Sequence, residues 1–457
     1  MIEVAKPIDF VIRSGYKDEP DVDEGEKPSL RRTTPVHHAF YRKLTCTIYK
    51  LFQIYNRFDM NYADEVGFTH FHLACEWDCE YVVEKFLQLG QDPNCLVPKT
   101  GDSPLHLSLK CTNVKICELL LRNGADPNLA NIDGSTPLHI IAQKFKSGDL
   151  ARMLFELSKE KYQPLHIDAR DKFGRTPLRC ALAVAYRSDE KQTIEILIRN
   201  GADPNSTNQH GSTLLHIICR KYLNDNLPKT FFEVCDNMQL TLQVDGLNNL
   251  GQTPLQWAVA NFSPRMVDLL LDHGADVSKF IFPTECYFGK SLSFRMCNSS
   301  FNPELRLASA ALMIVERLEN RGYELDQSGA LTIVKFLDRL KIFNMSKHLR
   351  MPWYCYGGGY FASMLPYDVF RLQPTEATKR FKYEDYYEFS KSANIGKICV
   401  IQLCEKMSRR FFQRWALEFV MELTHYELPI ICCEKIIAKL MNQDLIHICI
   451  AASGQSH

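Results

Sequence analysis

The 457-residue chain has no net charge, no long apolar run and no cysteines in CxxC spacing. Lysine plus arginine and aspartate plus glutamate number 54 each, so we expect neither nucleic acid nor a membrane as partner. The longest apolar run, Ala308–Val315, is far shorter than the roughly 20 residues that span a bilayer. The first residues lack the apolar core of a signal peptide.

The 17 scattered cysteines are typical of reduced, buried thiols. We expect a cytoplasmic location, with the nucleus as second candidate.

Signatures of catalysis are also missing. The sequence has no nucleophile elbow and no HExxH motif. Three consecutive glycines, Gly357–Gly359, lack the lysine and Ser/Thr that a phosphate loop needs. Cys432 and Cys433 have no accompanying His–Asp spacing. We therefore expect a protein that is not an enzyme, with no catalytic residue, cofactor or metal site.

What the chain does contain is a repeated block of Gly, Ser/Thr, Pro, Leu and His, with a second signature, NGADPN, between copies. This pattern resembles the ankyrin repeat, a helix pair with a base period of 33 residues. The six copies lie within residues 67–278, and they begin at Gly67, Gly101, Gly134, Gly174, Gly211 and Gly251. The resemblance implies an all-α fold in which an ankyrin-repeat solenoid is followed by a smaller helical carboxyl-terminal domain.

Each position of the repeated block has a physical role. Thr136 can cap the coming helix, and Pro137 fits its first turn, where a missing N–H is harmless. His139 can bond to the turn threonine. A metal-binding role for these histidines is disfavoured, because side chains one repeat apart lie in a line and do not converge on one ion. The histidines are therefore expected to stabilise turns.

The regions on either side of the array are assigned from composition and periodicity. Arg31–Pro35 (RRTTP) is interpreted as part of a solvated tail, with a kinase target or basic patch as the alternative. The predicted segments are a mobile tail (1–36), a helical cap (37–66), a connector (279–302), a helical pair closing the solenoid (303–345), a linker (346–364) and a carboxyl-terminal domain (365–457).

The carboxyl-terminal segment contains LPYDVFRL at 365–372, Trp-Ala-Leu at 415–417 and LPxxxxEKIIxxLxxxDL from Leu428. With the array before it, this order resembles the PRANC domain of ankyrin proteins from poxviruses, parasitoid wasps and endosymbionts. Its ending is similar to a shortened F-box, the module that docks on the Skp-type adaptor of cullin ubiquitin ligases. One departure is Ile431, at a position that is often acidic in F-boxes.

The resemblance implies an adaptor-binding face. Its expected residues are Leu428, Pro429, Ile436, Leu440 and Leu445. The same spacing is also consistent with burial inside the domain, because periodicity does not distinguish a core from an interface. The run RRFFQRW (409–415) could bind nucleic acid, but a helix with Phe411, Phe412 and Trp415 in the core and solvated arginines is favoured.

The array itself is expected to bind a target protein at its finger tips and first helices. The expected contacts are Ile132, Lys172, Phe173, Gln209, His210, Leu250 and Trp257. Two functions fit these features. In the first, a non-catalytic adaptor holds a target on the array and recruits a Skp–cullin ubiquitin ligase through the carboxyl-terminal module. In the second, a stoichiometric ankyrin-type inhibitor sequesters a signalling factor such as NF-kappaB.

Overall fold

The computed structural model of the chain describes residues 2–19, 30–144, 147–158, 165–188, 191–220, 226–284, 302–343, 372–391 and 395–453. Within these ranges the regular elements are helices; isolated bridges join Ala63 to Arg31 and to Thr69, and Thr207 and Thr213 are bridge residues too. The prediction of an all-α fold is confirmed. None of the described helices has both the length and the apolarity needed to cross a bilayer. The predicted linker (346–364) and most of the predicted connector lie outside the described residues.

The helices that precede residue 280 come mostly in pairs. In chain order they are α1 (Ile2–Arg13), α2 (Pro35–Tyr41), α3 (Thr45–Ile54), α4 (His70–Glu76), α5 (Glu80–Gln88), α6 (Pro104–Lys110), α7 (Val114–Arg122), α8 (Pro137–Ala142), α9 (Gly148–Ser158), α10 (Pro177–Ser188), α11 (Gln192–Arg199), α12 (Leu214–Arg220), α13 (Asn226–Asn237), α14 (Pro254–Ala260) and α15 (Pro264–Asp272). A single 3-10 turn follows at Val277–Lys279.

The later helices vary more in length, from seven to 27 residues. They are α16 (Pro303–Asn320), α17 (Gln327–Arg339), α18 (Pro374–Arg380), α19 (Tyr383–Phe389), α20 (Lys397–Leu423), α21 (Ile430–Lys439) and α22 (Asn442–Ser453). Contacts divide the chain into two compact units. The first is Met1–Gln209 with Thr230–Leu242, and the second is His210–Lys229 with Gln243–His457.

Within the first unit the helices form two rows. Helices α2, α4, α6, α8 and α10 pack on one another in succession, and α5, α7, α9 and α11 form the second row. The side chains at the leucine position of the repeated block are fully buried or nearly so in both units; they are Phe71, Leu105, Leu138, Leu178, Leu215 and Leu255. Because one helix pair cannot bury its own apolar face, stacking supplies the core of each unit.

The motif histidines hold each helix start and reach the next finger. The backbone N–H of Ser103 donates to His106 Nδ1 at 3.3 Å, so Nε2 carries the proton and donates to the carbonyl of Ser135 at 2.9 Å. Bonds of the same kind are made by His72, His139 and His216. Burial lowers the pKa of all four rings, which favours the neutral form that makes these bonds.

Two repeats replace the histidine, with different results. Gln256 reproduces both bonds: its Oε1 accepts from the Thr253 N–H at 2.9 Å and its Nε2 donates to the Ile281 carbonyl at 3.0 Å. Arg179 has no acceptor atom and cannot receive the N–H of its turn threonine. Its Nη1 atom is buried without a hydrogen-bond partner.

A further repeat precedes the six that the sequence analysis identified. Thr34 and His37 form the same capping arrangement at the start of α2, and His37 Nε2 bonds to the Phe68 carbonyl at 2.8 Å. Helix α2 packs on α3 and α4. The predicted boundary between tail and cap at residue 36 therefore cuts through a repeat, and Arg31–Pro35 leads into its first helix. The segment expected as a tail also contains helix α1, which packs on α3.

The turn glycines are required for two reasons. Gly101 and Gly134 have φ values of +67° and +71°, in the left-handed region where a side chain is disfavoured. A Cβ atom on Gly101 would lie 2.8 Å from the Ile132 nitrogen, and one on Gly134 would lie 3.0 Å from the Lys172 nitrogen. Each finger therefore fits closely against the next.

The predicted helical pair and the predicted carboxyl-terminal domain share one core in the second unit. Helix α16 packs on α15, α19 and α20, and α17 packs on α22. The Phe262 and Phe336 rings stack with centroids 4.1 Å apart, which joins the last repeat to α17. On the other side, Phe343 packs edge-on against Phe412 at 5.3 Å. Helices α16 and α17 thus cover the last repeat and support the helices that follow.

We predict that the buried histidines make the array sensitive to mild acid. Their pKa values are lowered from 6.5 in the folded chain, so below about pH 6.5 the unfolded chain binds more protons. The free energy of unfolding should fall as pH drops from about 7.5 to about 5.5. Replacing His72, His106, His139 and His216 by Gln, as at Gln256, should flatten this dependence in denaturant titrations.

The matched control is alanine at the same positions. It removes the titrating ring and also the bonds, so it should cost roughly 1–3 kcal/mol per site at about pH 7.5. Gln variants that are as unstable as the Ala variants, or that keep the wild-type pH dependence, would contradict the role assigned to these bonds.

Candidate functional site

The finger tips of the array form one candidate surface. In the first unit, the Lys172 N–H donates to the Asp133 carbonyl at 2.8 Å, and the Ile132 N–H donates to the Thr100 carbonyl at 3.1 Å. These bonds tie successive fingers together and turn the tip side chains outward. Ile132 is 67% exposed and Phe173 is 56% exposed. The tips therefore present apolar side chains on a bonded backbone.

Phe173 is flanked by cations. Lys172 Nζ and the Arg175 guanidinium lie 5.1 Å and 4.8 Å from its ring centroid. Lys172 also pairs with Asp133, and Arg175 pairs with Asp171 at 2.7 Å. An exposed aromatic ring held between paired charges is pre-organised, which lowers the entropy cost of using it in a contact.

In the second unit the predicted contacts divide into two groups. Leu250, 77% exposed, and His210 lie at finger tips, where the Asn249 N–H donates to the His210 carbonyl at 3.0 Å. Trp257 is half-buried: its indole N–H donates to Gln252 Oε1 at 3.0 Å, and its ring packs on His216. Trp257 thus supports the repeat core as well as lining its surface. The remaining predicted contact, Gln209, belongs to the first unit and is exposed.

The second candidate surface surrounds α21. Five apolar side chains there are exposed, and we call them the α21 face; they are Leu428, Ile430, Ile431, Ile436 and Met441. Cys433 and Ile437, one turn apart, are buried where α21 packs on α20. The helix thus has an inner and an outer apolar side.

The structure separates the five residues predicted for adaptor binding. Leu428, Pro429 and Ile436 are exposed, with Pro429 at the N-cap of α21, and Leu440 is half-buried at the C-cap. Leu445 is fully buried. Leu445 therefore packs in the core of the second unit, which is the burial that the spacing also allowed, and it does not contribute to the exposed side of α21. Ile430, Ile431 and Met441 were missed because spacing alone does not show which side of a helix is covered.

Arg409 fixes the carboxyl end of α21. Its guanidinium donates to the carbonyls of Ile437, Ala438 and Leu440 and to Asn442 Oδ1. The helical spacing had predicted a solvated side chain for this arginine. The predicted burial of the neighbouring aromatic residues is confirmed, since the Phe411, Phe412 and Trp415 side chains are buried.

Metal-ligating side chains do not converge. Among the described residues, no three His, Cys, Asp or Glu side chains are grouped so that they could hold a metal ion. The four motif histidines instead spend both ring nitrogens on the turn and finger bonds given above. The exposed apolar side chains of the finger tips and of the α21 face are what suit these two surfaces to contacts with another protein.

Comparison with known proteins agrees with the repeats. A family model described as ankyrin repeats (3 copies) matches residues 36–131, 71–164, 105–185 and 181–280. Together the matches span 36–280, more than half of the 457 residues, and they begin two residues after Thr34, inside the additional repeat.

Curated relatives share the same region. A putative ankyrin repeat protein of fowlpox virus is 30% identical over 188 residues, which are 40% of this chain and 87% of that protein. The human transient receptor potential cation channel subfamily A member 1 is 26% identical over 178 residues. The aligned part is 39% of this chain but only 15% of the channel subunit. From its repeats and these matches, the chain belongs to the ankyrin-repeat family, whose units mediate binding between proteins.

Proposed function

We propose that this protein is a non-catalytic adaptor that binds a target protein on its ankyrin fingers and a Skp-type adaptor of a cullin ubiquitin ligase on the α21 face. The observation that carries the proposal is the outer side of α21. Ile431 and Ile436 are 60% and 49% exposed on a helix whose opposite side is buried. A helix with a second, uncovered apolar side is suited to helix-in-groove recognition.

The packing of α21 favours a docking role for its exposed apolar side over the alternative that this side is a core face left uncovered. Cys433 and Ile437 already fill the space against α20, and Arg409 holds the helix end by bonds to three carbonyls. The exposed isoleucines are thus not needed to keep the helix in place. The resemblance of residues 365–452 to a PRANC domain with an F-box-like ending supplies the identity of the partner.

The fingers support the other half of the proposal. Ile132 and Phe173 are exposed on loops whose backbones are bonded to their neighbours, which is how repeat proteins present contact surfaces. An adaptor of this kind acts by proximity: it raises the local concentration of the target near the ligase. A ligase partner would place the protein in the cytoplasm or nucleus.

We predict that Leu428→Ala combined with Ile436→Ala weakens adaptor binding more than tenfold without unfolding the chain. Both side chains are exposed, so the thermal transition should not change. Truncating a buried interface anchor costs about 2 kcal/mol or more, which is over tenfold in affinity. Calorimetric titration of full-length chain with purified Skp-type adaptor measures the effect.

A matched control truncates exposed apolar side chains elsewhere in the second unit: Leu247→Ala with Ile281→Ala. This variant should bind the adaptor normally. If the folded α21-face variant still binds fully, the F-box-like assignment fails, and an array that sequesters a signalling factor becomes the better account.

We also predict that Ile132→Ser with Phe173→Ser weakens target binding about tenfold, since both residues are exposed tip anchors. Proximity labelling in cells, with quantitative mass spectrometry, compares this variant with Tyr81→Ser and Val114→Ser, which alter exposed side chains on α5 and α7. Candidate targets should lose labelling only with the tip variant. Identical labelling profiles for the two variants would show that the tips do not hold the target.

A further inference from the structure

A cluster of four aromatic rings lies at the carboxyl ends of α2 and α4 in the first unit. The ring of Phe40 contacts the other three, with centroid distances of 5.4 Å to Tyr41, 5.2 Å to Phe68 and 5.6 Å to Trp77. Tyr41 is the last residue of α2, and Trp77 is the C-cap of α4. Tyr41 is 54% exposed and the other three residues are half-buried, so this aromatic cluster is open to solvent.

Hydrogen bonds hold the aromatic cluster in place. The Tyr41 hydroxyl donates to the Asp64 carboxylate, which also accepts the N–H of Phe68 at 2.8 Å. The Tyr49 hydroxyl donates to the Trp77 carbonyl at 3.2 Å. A surface whose side chains are already ordered loses less entropy when a partner binds. The cluster is therefore pre-organised for a contact.

A carboxylate beside the cluster has no partner of its own. Glu76, the last residue of α4, is half-buried, and among the described residues it makes no hydrogen bond or ion pair. Burial and the Asp64 carboxylate raise the pKa of the Tyr41 hydroxyl, and the charge of Glu76 adds to this rise, so Glu76 lies near that ring. The neighbouring Lys110 ammonium is paired with Asp102 at 2.6 Å. Burial raises the pKa of the Glu76 carboxyl itself, since a partly desolvated charge is costly unless it is paired.

We propose that Glu76 and the aromatic cluster bind an arginine side chain of the target protein. A guanidinium is planar, stacks on aromatic faces and donates two N–H bonds to one carboxylate. The Tyr41 and Trp77 rings supply the faces, and Glu76 supplies the acceptor. A lysine fits less well, because its ammonium is more strongly hydrated and cannot stack. The inference rests on the proposed target-binding role of the array and adds a chemical requirement, an exposed arginine, that the target must meet.

The test follows the indole signals of full-length protein by nuclear magnetic resonance, with isotope-labelled tryptophan. The chain has four tryptophans, and the signal lost in Trp77→Phe is that of Trp77. The probe is a short peptide, Gly-Leu-Arg-Leu-Gly, with both ends capped. A matched peptide carries citrulline, which has the shape of arginine without its charge. The arginine peptide should shift the Trp77 signal saturably, and the citrulline peptide should bind about tenfold more weakly. No saturable shift, or equal affinities for the two peptides, would overturn the proposal.

A second measurement assigns the charge to one carboxylate. Glu76→Gln should weaken binding of the arginine peptide about tenfold. The control, Glu156→Gln, makes the same change at an exposed glutamate of α9 and should leave binding unchanged. Equal affinities in the two folded variants, checked by thermal melts, would contradict the proposal, as would a lysine peptide that binds more tightly than the arginine peptide.

The inference and the proposed function can fail separately. If the arginine peptide does not bind while the variant with Ile132→Ser and Phe173→Ser still loses its targets, the arginine site is wrong and target binding by the array stands.

Discussion

The bond from a motif side chain to the carbonyl of the next finger is the interaction on which the array depends. His106 illustrates it: one ring nitrogen satisfies the N–H at the start of its own helix, and the other reaches the Ser135 carbonyl in the following repeat. One residue thus joins a local structure to its neighbour. Since the ring is buried, it must remain neutral to serve both bonds.

This arrangement leaves the finger tips free for function. The backbone polar groups at the base of each finger are satisfied by neighbouring fingers, and glycine allows the close approach at Gly134. Side chains at the tips, such as Ile132 and Phe173, therefore contribute little to stability and can vary with the target. The α21 face is arranged in the same way. Ile437 and Arg409 hold the helix in place, and the isoleucines on its outer side remain exposed.

The sequence predicted most of the array because its signals are local. A cap, a helix start and a left-handed glycine recur within each copy, so pattern alone located six repeats. The repeat at Thr34 escaped this search because Arg32 occupies the glycine position and Val36 the leucine position. Its TPVH block, 35 residues before Thr69, was the signal that could have revealed it.

The carboxyl-terminal region was less predictable because its contacts join distant residues. The ion pair between Glu319 and Arg414, for example, joins residues 95 positions apart. Helical spacing identified α21 but could not show that Leu445 is buried while Ile431 is exposed. Tertiary packing decides such cases, and it also joins the helical pair at 303–339 to the helices that follow.

The most direct test of the central claim, that α21 is a docking surface separate from the array, is hydrogen–deuterium exchange. The full-length chain is measured alone and with purified Skp-type adaptor in excess. Slower exchange should appear at residues 428–441, while the fingers around Ile132 and Phe173 should be unchanged. Unaltered exchange at 428–441 under saturating adaptor, or protection confined to the array, would contradict the account.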